Sequence, residues 1–253
     1  MDWNVAAARR GDDQPMLDRL PKQCVTCPVR ETAICGAAGL EGTRQFGKAA
    51  RRVDLDARDR VFTQGDTTRH LFTIVAGVVR LAKDLPDGRE QGIGFAVPGH
   101  VLGLRPGAAI GHSAAAITPA RLCKMSWSQL EGLLDRFPPM ERRLREIVAA
   151  ELEAAQDHML TLGRKTARER VATFLLDLPR EDAAPADGLG PTAVAVALPM
   201  SRTDIADHLG LRIETVSRTF TEFSRLGLIR QYSLHRLEVL NTRRLAALAG
   251  GEA

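Results

Sequence analysis

"SRTDIADHLGLRIETVSRTFTEFSRLGLI", residues 201–229, holds two helical patterns around one glycine. The first predicts a helix over Thr203–Leu209 with Ile205, Ala206 and Leu209 turned inward. Gly210 follows, where a tight turn needs the positive φ that glycine adopts at no steric cost. From Ile213 a second helix gathers Val216, Phe220 and Phe223 on one face. It leaves Arg212, Glu214, Thr215, Ser217 and Arg218 on the other. That combination is the pattern of a helix-turn-helix whose second helix enters the major groove of DNA. A helical hairpin with a solvated charged face shares the apolar spacing, but turn, stripe and polar face together favour DNA. Arg218 can donate a bidentate pair to guanine, Glu214 can accept from an exocyclic amine, and Ser217 can bond a base or a phosphate. Ile213 offers an apolar contact suited to a thymine methyl. One such helix reads too few bases for a unique site, so a homodimer on a palindromic operator is expected.

Outward from this stretch, "IRQYSLHRLEVL" (229–240) alternates like a terminal hairpin. On the other side, "TARERVATFLLDL" reads as an amphipathic helix, "PREDAAPADGLGPT" as a loop and "AVAVALPM" as a strand. Before these, Pro138 and Pro139 open a long helical run to about Gly163. Within it Val148, Leu152, Ala155, Met159 and Leu162 step by four and three, a narrow seam that suits a contact between two copies. The same period would serve a helix lying on its own β-domain. The helix length and its charged flanks favour the dimer.

From about Gln45 to Trp127 the texture is β. "HLFTIVAGVVRLAK" (70–83) is rich in β-branched residues, and "LPDGRE" (85–90) carries an Asp-Gly hairpin signal. Recurrent glycines predict a roll of short strands or a small sandwich. "SWSQLEGLLDRF" then reads as a short helix with a serine cap. Residues 1–21 read as a loose tail. Three of the four cysteines, Cys24, Cys27 and Cys35, crowd into "KQCVTCPVRETAICG" (22–36), and the fourth is Cys123.

The chain has 253 residues, enough for one large or two modest domains. Its formal charge of +4 permits an anionic partner without requiring one. Aromatics at 4% argue against single-strand binding, where bases stack on exposed rings. The N-terminus lacks the apolar core of a signal peptide, and no run approaches the ~18 residues of a membrane span. A cytoplasmic location is expected. In a reducing compartment, clustered cysteines point to metal or redox chemistry rather than structural disulfides. Phosphate loop, nucleophile elbow and paired carboxylates are all missing from the sequence, so an enzyme is not expected.

A roll, a long helix and a winged helix-turn-helix, in that order, resemble the CRP/FNR family of bacterial transcription regulators across about residues 22–245. The carrying segments are "QGDTTRHLFTIVAGVVRLAKDLPDGREQGIGFAVPGHVLG", "GRKTARERVATFL" and "LGLRIETVSRTF". The resemblance implies an α+β fold. A cyclic-nucleotide-binding-like β-roll would span 22–137, a dimerisation helix 138–163 and a winged helix-turn-helix 164–253. The cyclic-AMP branch holds its ligand with an acid after a glycine and an Arg-Ser pair. "HVLGLRPGAAIGHSAAAIT" has neither, so no cyclic nucleotide is expected. "IETVSR" looks like the FNR-type E-x-x-S-R reader of TTGAT-like half-sites, which implies Glu214, Ser217 and Arg218 as base readers.

In the oxygen-sensing FNR branch, N-terminal cysteines and one from the roll hold an iron–sulfur cluster. The resemblance thus implies Cys24, Cys27, Cys35 and Cys123 as ligands of a [4Fe–4S] cluster. Their C-x2-C-x7-C spacing departs from the enterobacterial C-x2-C-x5-C and looks like the α-proteobacterial one. It further implies an activator that meets RNA polymerase and binds DNA as a homodimer while the cluster is intact. Ala155 stands where the enterobacterial type has an acid, so dimerisation here is expected to depend less strictly on the cluster. A zinc site would use the same four thiolates. A haem trigger, with His100, His112 or His158 as axial ligands, and bare-thiol redox sensing are the other readings left open.

Overall fold

The computed structural model describes residues 19–178 and 194–251. The expected tail up to residue 18 and the expected loop over 179–192 lie outside the described residues. Two compact units emerge. One runs to Arg89 and resumes over Ile93–Glu153, and the other comprises Glu90–Gly92 and the chain from Ala154 onward.

The first unit opens with a single turn, α1 (Lys22–Val25), a 3-10 turn over Ile34–Ala38, and α2 (Gly39–Ala49). β-Structure is expected from about Gln45, but Gln45–Ala49 are helical. Two glycines inside α2, Gly42 and Gly47, each cost about 1 kcal/mol of helix propensity, which hides the helix from the sequence pattern. Tertiary packing outweighs that cost: Phe46 is 3% exposed, and Thr43 Oγ1 donates to Gly39 O at 2.9 Å and to Cys35 O at 3.2 Å.

The strands are β1 (Arg51–Leu55), β2 (Arg60–Phe62), β3 (His70–Ala76), β4 (Val79–Asp84), β5 (Glu90–Ala96), β6 (Val101–Leu102), β7 (Ser113–Ala116) and β8 (Ala120–Ser126). They form two four-stranded sheets, ordered β1-β8-β3-β6 and β2-β7-β4-β5. The predicted β4–β5 turn closes with Leu85 N to Arg89 O at 2.8 Å, and Gly88 takes φ 84°.

Side-chain alternation explains what the first sheet carries on its two faces. On β3 and β8, Phe72, Ile74, Ala120 and Leu122 join the core with Phe62 and Ala114. Leu71, Cys123 and Met125 point the other way, into a second apolar cluster with Ile34, Phe46, Leu130 and Met140. Burying a side chain of this size contributes roughly 1.5–3 kcal/mol. Both faces of β8 are therefore covered, and Cys123 falls on the face roofed by the N-terminal segment.

Helix α3 (Trp127–Arg136) starts on Ser126, whose hydroxyl accepts from Gln129 N, as the sequence predicts. Helix α4 (Pro138–Arg164) begins on proline, which suits a first helical position. Its first turns are anchored by Met140, fully buried, with Leu144 and Ile147 packed on the same cluster.

The second unit holds α5 (Ala167–Asp177), β9 (Val194–Ala197), α6 (Arg202–Leu209), α7 (Ile213–Arg225), β10 (Ile229–Ser233), β11 (Arg236–Val239) and α8 (Thr242–Ala249). The sheet order is β10-β11-β9, antiparallel throughout. Thr166 and Glu169 close a capping box on α5, and Ser201 and Asp204 do the same for α6. The turn after α6 is left-handed at Gly210, with φ 60° and ψ 39°, as the sequence requires. Arg170 donates to Lys165 O at 2.9 Å, Leu162 O at 2.7 Å and Leu209 O at 2.9 Å, fixing the end of α4 to the end of α6. The sequence reading stopped at the hairpin and missed α8, although Asn241 caps it by accepting from Arg244 N at 2.9 Å. The α+β class stands.

Candidate functional site

Two constellations carry chemistry. In the second unit, α7 lays Val216, Phe220 and Phe223 into the core at 2% exposure or less. That fixes the rotation of the helix and leaves Arg212, Ile213, Glu214, Ser217 and Arg218 exposed, with Thr215 half-buried. Thr215 supplies its carbonyl to Thr219 Oγ1 at 2.9 Å. Among the described residues, no ion pair engages Arg212, Glu214 or Arg218. Their donors and acceptors are presented outward from one helix face, as base and phosphate recognition requires. The sequence reading missed Arg202. Its guanidinium lies 3.6 Å from the Phe220 ring centroid and donates to Gln231 Oε1 at 3.1 Å, fixing the start of α6 against α7 and the β10–β11 hairpin.

In the first unit, Cys24, Cys27, Cys35 and Cys123 all line one cavity of about 370 Å³. Cys24 arrives from α1, Cys27 and Cys35 from the turns that follow it, and Cys123 from the outer face of β8 opposite Thr73. Cys24 is buried and the other three are half-buried. Val29, Ala33 and Val75 pack with Cys27, Cys35 and Cys123. Gly47 is needed by this packing, since a Cβ there would overlap Cys24 Sγ. Gln23 ties α1 to the end of α2, donating to Gly47 O at 3.0 Å and Ala50 O at 3.2 Å.

The electrostatics are one-sided. Burial and the neighbouring thiols push Cys35 and Cys123 up to about 12, and burial with Cys27 raises Cys24. With their values raised, Cys24, Cys35 and Cys123 stay protonated at neutral pH as bare thiols. A coordinated metal would displace their protons. The cavity lining contains Lys22, Arg30, Arg52 and Arg121, of which Arg52 and Arg121 both pair with Asp54 at 2.9 and 3.1 Å and Arg30 lies 3.9 Å from Glu31. Sequence spacing gave no sign of this basic rim.

Among the described residues, no three His, Cys, Asp or Glu side chains are grouped tightly enough for a single metal ion. A zinc ion would draw four sulfurs to about 2.3 Å from one point.

The expected seam residues divide. Val148, Leu152 and Met159 are 45%, 59% and 64% exposed, and Ala155 is exposed as well. Leu162 is half-buried, with Cδ2 beside Gly210. The histidines do not converge. His100 pairs with Glu151 at 3.2 Å, His112 sets its edge against Phe62, and His158 stacks on His208 at 4.2 Å. In the stretch where a cyclic nucleotide's phosphate would be held, Leu104 packs on apolar neighbours. There, too, the Ser113 hydroxyl accepts from Gln64 N at 3.0 Å and donates to Asp84 at 3.2 Å.

Comparison with known proteins agrees with this architecture. Residues 52–137 match the cyclic nucleotide-binding domain and residues 169–248 the Crp-like helix-turn-helix domain. The nitrogen fixation regulation protein FixK of Bradyrhizobium diazoefficiens is 42% identical over 206 residues, covering 81% of this chain and 85% of its own. Transcriptional activator protein FnrL of Cereibacter sphaeroides is 32% identical and Anr of Pseudomonas aeruginosa 34%, each covering 91% of this chain and 93% of its own. The solved structure of FixK2 from Bradyrhizobium japonicum superposes with a TM-score of 0.70 at 36% identity, covering 79% of this chain and 96% of that one.

Proposed function

Because the chain belongs to the CRP/FNR family of DNA-binding transcription activators, and not to a family of enzymes, we propose that it is an oxygen-responsive member whose trigger is a [4Fe–4S] cluster. One observation carries the reading: every cysteine in the chain lines the same cavity. Cys24, Cys27, Cys35 and Cys123 would hold the cluster. When bound, such a group supplies thiolate-held iron that oxygen can oxidise.

The remaining steps belong to the chain's own side chains. Lys22 and Arg30 would offset part of the negative charge of four thiolates around iron, while Arg52 and Arg121 are shared with Asp54. Arg30 Nη1 donates to Cys24 O at 3.5 Å and Val25 O at 3.4 Å, holding the first ligand turn closed. Val148, Leu152, Ala155 and Met159 form the apolar face on which two copies meet, and Leu162 borders it from its half-buried position. Glu214, Ser217 and Arg218 read bases in a TTGAT-like half-site, Ile213 and Thr215 pack on the base edges, and Arg212 meets phosphate. No described helix is long and apolar enough to cross a membrane, and the expected workplace is the cytoplasm, in reach of RNA polymerase.

The deciding experiment is an absorption spectrum of anaerobically purified protein with iron, sulfide, zinc and haem assays, before and after air. A brown chromophore with four iron and four sulfide per protomer that bleaches in air, together with loss of operator binding, supports the reading. Zinc at one per protomer with no chromophore replaces it with a structural zinc site.

A further inference from the structure

Between Cys27 and Cys35 the chain folds as a run of turns. Arg30 N bonds Cys27 O at 3.4 Å, Ala33 N bonds Val29 O at 2.8 Å, and Gly36 N bonds Ala33 O at 3.2 Å. Thr32 closes on the same Val29 carbonyl through its hydroxyl at 3.2 Å. The Thr32 carbonyl, however, points out of this loop. It accepts two hydrogen bonds from α4: Arg143 Nε at 2.9 Å and Arg143 Nη2 at 2.8 Å. The third nitrogen, Nη1, is held by Glu146 at 3.1 Å, so the fork is pre-aimed. Both bonds are part-buried. Beside them the fully buried Ile34 and Met140 lie in the same apolar cluster.

We propose that Arg143 is the positioning residue that couples the cysteine loop to the dimer helix, a role that rests on the cluster reading above. At about 100° per residue, Arg143 stands roughly 140° around α4 from Val148. The helix is thus gripped by the ligand loop on one side and offers its apolar seam on another. With Cys27 and Cys35 engaged, the loop is fixed and the Thr32 carbonyl sits in the fork of Arg143. With those cysteines released, the acceptor leaves, and the first turns of α4 lose their only side-chain bond to the loop among the described residues. The preferred pose of the seam then goes with it. A planar guanidinium can place two N–H groups on one oxygen, whereas an ammonium has no such fork.

The test compares the full-length wild type with Arg143→Met, which keeps an apolar stem, and Arg143→Lys. Each is purified anaerobically and also stripped with chelator, and the dimer dissociation constant is measured by sedimentation. In the wild type, stripping should weaken the dimer about tenfold or more, the value of hydrogen bonds to a charged group. In Arg143→Met the iron and sulfide content should match the wild type, but loaded and stripped proteins should dimerise within about twofold of each other. Arg143→Lys should fall between. Amide hydrogen exchange should also quicken over residues 32–36 of the loaded Arg143→Met protein. Cluster-loaded Arg143→Met with the full wild-type difference on stripping overturns the role of Arg143 and leaves the cluster reading intact. A wild type without iron and sulfide instead overturns the cluster reading, and this inference with it.

Discussion

Replacing Gly47 with alanine probes the cysteine cavity through a single methyl group. In a helix interior, alanine is ordinarily better than glycine by about 1 kcal/mol. At Gly47, near the end of α2, the added Cβ would overlap Cys24 Sγ and stand 3.0 Å from Pro21 Cγ. Overpacking of this kind costs about 1–3 kcal/mol, so the net change runs from neutral to about 2 kcal/mol of destabilisation. For a chain of this size that is a drop of a few degrees in Tm, and the protein still folds. What changes is the placement of Cys24, because its sulfur is the atom in the way. The assay is iron and sulfide per protomer after anaerobic reconstitution, alongside thermal melts of the metal-free protein. Gly132→Ala in α3 is the control, since a Cβ there meets nothing within 4 Å and should only stabilise. Gly47→Ala should load deficiently with Tm lowered by no more than a few degrees, and Gly132→Ala should load fully. Full loading of Gly47→Ala would show that Cys24 is not a ligand at the position described.

Further outcomes follow from the same geometry. Cys123→Ser should abolish the chromophore and anaerobic operator binding, and a full complement of iron in that variant would remove β8 from the ligand set. Arg218→Ala should cost about 1–3 kcal/mol at the guanine of the half-site, whereas Arg212→Ala should weaken specific and scrambled duplexes alike. Equal losses from Arg218→Ala on both duplexes would make it a phosphate contact. Ala155→Asp should shift the anaerobic protein toward monomer, because two carboxylates near a shared axis repel and must be desolvated. A dimer as tight as the wild type by sedimentation would take this face out of the seam. His208, held down to about 3 by burial and by His158, stays neutral in the fold, while in the unfolded chain it takes up a proton below about pH 6.5. Its folded value is depressed, so the stability it lends is complete above that pH and drains away toward pH 3, by up to about 1.4 kcal/mol per unit. Tm should fall from pH 7 to pH 5, and less steeply in His208→Phe; identical slopes would count against this origin.

What could be read from the sequence follows from where the determining interactions lie. The helix-turn-helix was legible because its signals are local: Gly210 in the left-handed region and three aromatic or branched residues at helical spacing. The β4–β5 turn was legible for the same reason. Helix α2 was not, because its glycines oppose helix formation and contacts distant in sequence supply the stabilisation. Leu162 fits the seam by period alone, yet it is half-buried beside Gly210, since periodicity identifies an apolar stripe and not its partner. The four cysteines could be counted from the sequence, but their common cavity depends on Cys123 facing outward from β8 while Leu122 faces inward. The basic rim and the Arg143–Thr32 bond join residues up to 111 positions apart, and no local pattern announces them.

The corner at Arg170 has a consequence for the architecture of target promoters. One guanidinium clasps the carbonyls that end α4 and α6, and α7 packs directly on α6. The C-terminal part of α4, which carries Ala155 and Met159, is thereby joined by hydrogen bonds to the α6–α7 pair. In the proposed dimer, with two copies meeting along α4, this corner would help to set the distance between the two reading heads. On that reading the gap between half-sites would be part of the recognised message alongside their bases.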